Sequence, residues 1–223
     1  MDFSFTPGQF ISVIDRVGSK EIRRPYSIAS PRAGNRFALC LNRVHGGITS
    51  PHLFRLQPGE NIEIGKPVGN FTLRHPGRNV VFIATGTGIA PFRSMLLDHL
   101  PRSKPQITLL YGARYEEGLL YREEFEQLAC IYPSFTFMPT VTRPSPLWRG
   151  RRGRVQEHLD EALGTQTGRT LASVDVYVCG LREMVDDIRR ELEERGLERG
   201  QIFYERYDVG SNLQSSPPYS GKE

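Results

Sequence analysis

A two-part chain is predicted: an antiparallel β unit followed by a doubly wound α/β unit built on five parallel strands. Three observations carry this. Up to about Gly77, short alternating or apolar segments are separated by Pro, Gly and Asn, the pattern of a barrel or sandwich. From Asn79, apolar strands alternate with amphipathic helices, as in a parallel sheet covered on both faces. After Asp208 the chain reads "VGSNLQSSPPYSGKE", too polar to bury a core. The expected boundaries are 1–77, 78–208 and a disordered tail at 209–223.

In the first unit "GQFISVID", "YSIAS", "RFALCLNRV", "ENIEIGKPVG" and "NFTL" read as strands. "SPHLFRL" interrupts them as a short helix with Ser50 as its N-cap. In the second unit "NVVFIATG" leads to "PFRSMLLDHL", and "ITLLYGAR" leads to "YREEFEQLAC". "FTFMPTV" leads through an Arg-rich loop to "VQEHLDEAL", "DVYVCG" leads to "REMVDDIRRELEERG", and "QIFYERYD" closes the series. Val185, Ile188 and Leu192 recur at helical spacing, which supports the last helix.

The 223 residues are 38% hydrophobic and 24% charged, the balance of a globular protein. No apolar run approaches the roughly 20 residues of a membrane-spanning helix, and "MDFSFTPGQF" lacks the form of a secretory signal. A cytoplasmic location is the expectation. Cys40, Cys130 and Cys179 are too far apart for a disulfide framework, a zinc site or an iron–sulfur cluster. The formal charge of +4 does not spread as a basic stripe with interleaved aromatics, which argues against nucleic acid. It concentrates in "TRPSPLWRGRRGR", where Arg143, Arg149, Arg151, Arg152 and Arg154 occur without an acid. By composition alone this is a solvated face.

Ligands of an open parallel sheet bind beyond the carboxyl ends of its strands. The first such end is "FIATGTGIAPF", where Gly86 and Gly88 permit a tight turn and Pro91 suits the first helical position. Free N–H groups and the helix dipole there favour an anion such as a diphosphate. The spacing is not that of the G-x-G-x-x-G fingerprint, so a purely structural turn remains open. "YVCG" ends the fourth strand and brings Cys179 to the same crevice, either as a small core residue or as part of a site. In the first unit "RRPYSIAS" sets a guanidinium, a phenol and a hydroxyl within four residues around Pro25; an ordinary edge strand is the plainer reading.

Five motifs together resemble the ferredoxin–NADP⁺ reductase superfamily, in its compact bacterial form. They are "RPYS" (Arg24 to Ser27), "HGGITSPHL" (His45 to Leu53), "GTGIAP" (Gly86 to Pro91), "YGAR" (Tyr111 to Arg114) and "VCG" followed by "MV" (Val178 to Gly180, Met184, Val185). They occur in the family's order across nearly the whole chain. The resemblance implies an FAD-binding barrel followed by an NAD(P)-binding domain. It implies that Tyr26 stacks on the flavin ring, Arg24 pairs with its diphosphate, Ser27 bonds near N5 and Pro25 fixes the strand between them. These roles suit the chemistry of a planar guanidinium, an aromatic face and a hydroxyl. Gly46, Gly47, Thr49 and Ser50 are implied as a second flavin contact. Thr85, Gly86, Thr87 and Gly88 are implied as the cradle of the NADP diphosphate, with Cys179 and Gly180 against the nicotinamide. Arg114 and Arg143 lie where the family often reads the adenosine 2′-phosphate. Ser27 and Cys179 are the implied catalytic pair.

The implied activity is hydride transfer between NADPH and FAD, with single electrons passed to or from a ferredoxin or flavodoxin on a separate chain. Two other readings stand beside it: an NADH-dependent reductase component of an oxygenase or hydroxylase, and a nucleotide-binding regulator that retains the fold. Relatives usually have a further strand before the "TPGQF" segment, whereas six residues precede Pro7 here. The first barrel strand is therefore expected to be missing, through a late start, an open barrel or completion by another chain. Glu205 reads as a salt-bridged residue of a surface strand, and Tyr207 has no assigned role.

Overall fold

The computed structural model describes residues 3–164 and 170–207; the predicted tail at 209–223 lies outside them. β1 (Phe10–Val17) and β2 (Lys20–Ser27) form a hairpin turned at Gly18. Its register sets Ile11, Val13 and Asp15 opposite Tyr26, Arg24 and Ile22. β3 (Glu63–Ile64) pairs with the other side of β1, giving an antiparallel sheet ordered β2-β1-β3. Pro25 therefore sits on an edge strand, where its missing N–H forfeits little. Phe5, Ile11, Val13 and Ile28 form the core of this unit, and Leu39, Leu53, Ile62 and Ile64 pack against it.

Two expected strands differ. "RFALCLNRV" contributes bridges at Arg36 and Leu39, and "NFTL" joins no ladder. Phe37 and Leu39 hold their segment by side-chain packing instead, with Phe37 stacked on Phe3 at 4.8 Å. Ser50 is also not a cap. α1 (Thr49–Leu53) has Ile48 at its N-cap, and the buried Ser50 hydroxyl accepts the Val44 N–H at 2.9 Å. That bond braces the preceding turn against the helix.

The second unit contains the five expected strands, β4 (Asn79–Thr85), β5 (Ile107–Ala113), β6 (Phe135–Val141), β8 (Val174–Leu181) and β9 (Ile202–Tyr207). A sixth, β7 (Arg151–Arg152), comes from the Arg-rich loop, where the Gly153 N–H reaches the Val141 carbonyl at 3.0 Å. All six run parallel in the order β7-β6-β5-β4-β8-β9. Helices α2 (Ile89–His99), α3 (Arg122–Ile131), α4 (Leu159–Leu163) and α5 (Arg182–Glu194) lie between strands. Pro91 is the third residue of α2, because a 3₁₀ turn at Gly86–Gly88 runs straight into the helix.

Alternation along β4 splits the core. Val80, Phe82 and Ala84 join a cluster with Phe92, Leu96 and Phe125, while Val81 and Ile83 join one with Val185, Ile188 and Leu192. Both faces are thus dry, as a parallel sheet requires. Sheet order reverses direction between β4 and β8, the switch point at which open α/β sheets bind ligands. Among the described residues no helix is long and apolar enough to cross a membrane.

The two units are joined by contacts as well as by the chain. Arg93 of α2 donates to the Ala29 carbonyl at 2.7 Å, and Ser94 donates to the Ser30 carbonyl at 2.7 Å. In the connecting segment the Arg74 N–H bonds the Tyr177 hydroxyl at 2.8 Å. His75 Nδ1 lies 2.6 Å from one oxygen of the buried Asp175, and Arg78 Nε lies 2.8 Å from the other. Replacing Asp175 by Ala strips both partners of a charged acceptor, and hydrogen bonds of that type contribute about 1.5–3 kcal/mol. A loss of that size is expected in chemical or thermal unfolding of the Asp175→Ala protein.

Candidate functional site

Parallel register aligns Ala84 of β4, Cys179 of β8 and Glu205 of β9 in one row at the carboxyl edge of the sheet. Period-two alternation then puts Tyr207 on the same face as Glu205. Ser27, the last residue of β2, reaches this face from the other unit. Its Oγ donates to Glu205 Oε1 at 3.0 Å and lies 2.7 Å from the Tyr207 hydroxyl. The Cys179 thiol lies beside the Tyr207 hydroxyl. Four polar side chains from three strands thus converge where the two units meet.

Burial sets their protonation. It pushes the Glu205 carboxyl up to about 7, against the downward pull of the Ser27 and Tyr207 hydrogen bonds. It also pushes the Cys179 thiol well up, with the Glu205 charge adding to the effect, and holds the Tyr207 phenol protonated. Glu205 is therefore not the salt-bridged surface residue expected from the sequence. A glutamate between aromatics on a strand reads as solvent-facing until its partner, 178 residues away, is known. The local signal is the alternation itself, since Phe203, Glu205 and Tyr207 share the face that β8 presents through Cys179.

Beside this cluster the chain leaves β4 through Thr85, Gly86, Thr87 and Gly88. Gly86 has φ 53° with open space around it, so a left-handed turn is what requires glycine there. Gly88 is needed for contact: a Cβ at that position would overlap the Cys179 carbonyl. The turn is pressed onto the end of β8, against Cys179 and Gly180. Thr85 Oγ1 is buried beside it without a hydrogen-bond partner. An unmet hydroxyl at a switch point is an observation that favours a polar ligand.

On the first unit Arg24 and Tyr26 project from one face of β2, and Ser27 projects from the other. Arg24 is exposed, and among the described residues its guanidinium bonds only the Arg23 carbonyl. Tyr26 is half-buried against the Ile11–Val13 core, and burial raises its phenol. Gly46 and Gly47 form the turn closed by the Gly47 N–H on the Val44 carbonyl at 3.1 Å. Thr49 Oγ1, at the start of α1, is the second buried hydroxyl without a partner. Arg24, Thr49 and Thr85 are the donors that a bound dinucleotide can satisfy, which makes the residue set fit for FAD and a pyridine nucleotide.

Arg114 and Arg143 come together at the ends of β5 and β6, where the Arg143 N–H bonds the Arg114 carbonyl at 2.8 Å. Neither makes an ion pair among the described residues. Others in the loop are engaged: Arg151 pairs with Glu161, and Arg152 bonds the Trp148 carbonyl. The solvated-face reading therefore fails for part of the loop, and the backbones that carry Arg114 and Arg143 are bonded to each other.

The chain matches two family models, the oxidoreductase FAD-binding domain over residues 1–73 and the oxidoreductase NAD-binding domain over residues 82–190. It is 40% identical to ferredoxin–NADP reductase B of Sorangium cellulosum over 92% of this chain and 86% of that protein. It is 30% identical to the electron transfer component of anthranilate 1,2-dioxygenase from Acinetobacter baylyi, over 91% of this chain and 58% of that longer protein. Among solved structures it resembles a ferredoxin NADP⁺ reductase from Neisseria gonorrhoeae with bound FAD and NADP. There the TM-score is 0.77 and the identity 26%, over 92% of this chain and 87% of that one. With an FAD-binding unit followed by an NAD-binding unit, the chain belongs to the ferredoxin–NADP reductase family of FAD- and NAD(P)-dependent oxidoreductases.

Proposed function

We propose that the protein exchanges hydride between NADPH and FAD in the cleft between its two units, and passes single electrons to a small acidic carrier of the ferredoxin or flavodoxin type. The observation that carries this reading is the junction of Ser27, Glu205, Tyr207 and Cys179 beside the Gly86–Gly88 turn. The 40% identity to a ferredoxin–NADP reductase supports the choice of carrier. The working division is residues 1–77 for FAD and 78–208 for the nucleotide.

Bound FAD supplies the hydride-accepting and single-electron chemistry. The chain's own residues bind, orient and hold protons. Arg24 neutralises diphosphate charge, Tyr26 offers an aromatic face, and Gly46, Gly47, Thr49 and Ser50 bring backbone and hydroxyl donors close. Thr85 to Gly88 offer the corresponding donors to the pyridine nucleotide, with Cys179 and Gly180 shaping the inner wall. Ser27 presents a hydroxyl backed by a carboxyl that keeps its proton up to about 7. Tyr207 and Cys179 flank that group.

The Arg114–Arg143 pair, free of acids, suits a 2′-phosphate, whereas a free 2′-hydroxyl is commonly met by a carboxylate. The second reading, an NADH-dependent component of an oxygenase, rests on the Acinetobacter relative. Anaerobic stopped-flow reduction with NADPH and with NADH, followed by reoxidation with ferredoxins and flavodoxins, separates the two. Equal reduction rates and affinities with both nucleotides would overturn the NADPH assignment.

Three variants test the residue roles. Arg24→Ala removes a charge-assisted contact of about 1.5–3 kcal/mol, so FAD should bind roughly ten- to a hundredfold more weakly by equilibrium titration. Arg143→Ala should raise KM for NADPH about tenfold, the loss of one such contact, and leave KM for NADH unchanged. Glu205→Gln tests the half-buried carboxyl through stability. The folded carboxyl keeps its proton up to about 7, while an ordinary one releases it near 4.5. The folded state therefore binds more protons between those values, and this group's contribution to stability is lost as pH rises through that window. Glutamine has no proton to lose, so Tm of the variant relative to the parent should climb from pH 4.5 to pH 8.

A further inference from the structure

We propose that Tyr111 is a positioning residue for the pyridine nucleotide: its hydroxyl locks the Gly86–Gly88 turn to the loop after β5, holding the turn's outward N–H groups in place. This rests on the reading of that turn as the diphosphate site. Tyr111 is fully buried on β5, the strand beside β4. Its Oη donates to the Gly86 carbonyl at 2.9 Å, lies 3.3 Å from the Gly118 carbonyl, and accepts the Leu120 N–H at 3.2 Å. A phenol has a single proton to give, and the shorter contact directs it to Gly86. Burial pushes the phenol up, so that proton stays in place at working pH.

The geometry of the peptide unit makes this bond consequential. In a planar trans peptide the C=O of one residue and the N–H of the next point in opposite directions. Drawing the Gly86 carbonyl inward to Tyr111 therefore turns the Thr87 N–H away from the sheet core. The left-handed conformation at Gly86 has no side chain of its own to define it; its carbonyl accepts the Ile89 N–H within the turn, and the Tyr111 hydroxyl is the anchor from outside it. The same oxygen reaches Gly118 and Leu120, in the loop that follows Arg114. That loop is tied in turn to the Arg143 segment, since Glu116 accepts the Ser145 N–H at 2.8 Å. One hydroxyl thus ties the turn to that loop.

The test is Tyr111→Phe, which keeps the ring and removes only the hydroxyl. Affinity is read by calorimetric titration of the FAD-loaded protein with NADP⁺, NAD⁺ and 2′-AMP. The first two share a diphosphate, and the third has none. Loss of one anchoring hydrogen bond should weaken NADP⁺ and NAD⁺ alike, roughly tenfold. FAD content and 2′-AMP affinity should stay at the parental values. This differs from Arg143→Ala, which discriminates between the two dinucleotides. Unchanged NADP⁺ affinity, or a parallel fall in NADP⁺, 2′-AMP and FAD binding, would overturn the positioning role. Thr87→Asp separates that failure from a failure of the site itself. If Thr87→Asp weakens NADP⁺ and Tyr111→Phe does not, the turn is the diphosphate site and only the role of Tyr111 falls. If Thr87→Asp binds NADP⁺ normally, the site assignment falls and takes the proposal with it.

Discussion

The double pairing of β8, with β4 on one side and β9 on the other, is the constraint on which the rest of the molecule depends. Parallel register puts Ala84, Cys179 and Glu205 in one row, so the Gly-rich turn and the polar cluster share an edge. A slip of β9 by one residue would turn Glu205 to the opposite face, among Val185, Ile188 and Leu192, and bring Tyr204 or Arg206 in its place. The packing that prevents such a slip is aromatic: Phe203 stacks on Tyr177 at 4.6 Å, and Tyr177 in turn touches Phe71 from the first unit. Sheet register, core packing and contact between the units are therefore one problem for this chain.

A carboxyl held between two hydroxyls in an apolar junction is unfavourable for folding whenever it carries charge. Arg93 and Glu124, by contrast, form a partly buried bidentate pair at 2.6 and 2.8 Å, in which charge answers charge. Glu205 has no cation beside it among the described hydrogen bonds, only Ser27 and Tyr207. Local arrangements that oppose stability are expected where function demands them. The arginines divide the same way. Among the described residues, Arg93, Arg78 and Arg151 each meet a carboxylate, whereas Arg114 and Arg143, on adjoining backbone, make no ion pair.

Much of this was legible in the sequence, for physical reasons. The five long strands announce themselves because burial on both faces demands continuous apolar runs. α5 does so because Val185, Ile188 and Leu192 repeat at 3.6 residues. Gly86 and Gly88 were legible as a turn, though only the structure separates their roles, one for backbone conformation and one for close approach to Cys179. β7 was hidden because two arginines are too short a run to carry a pattern. Ser50 looked like a cap because a serine before a helix is indistinguishable from a serine inside its first turn until the Val44 N–H is in view. Glu205 was hidden because its partner is remote in the chain, and hydropathy alone sends a lone glutamate to water.

That remoteness has a consequence for assembly. Ser27 and Glu205 are separated by 178 positions. Closing a loop of this length costs only about 1 kcal/mol more than closing one of 40 residues, because the entropy grows with the logarithm of length. The burden is one of time. At about 5–20 residues per second, β2 leaves the ribosome roughly ten to thirty-five seconds before β9 exists. During that interval the nascent hairpin must survive with the Ser27 end of its edge strand unmatched, and Pro25 on that edge is a residue that discourages pairing with a stray chain.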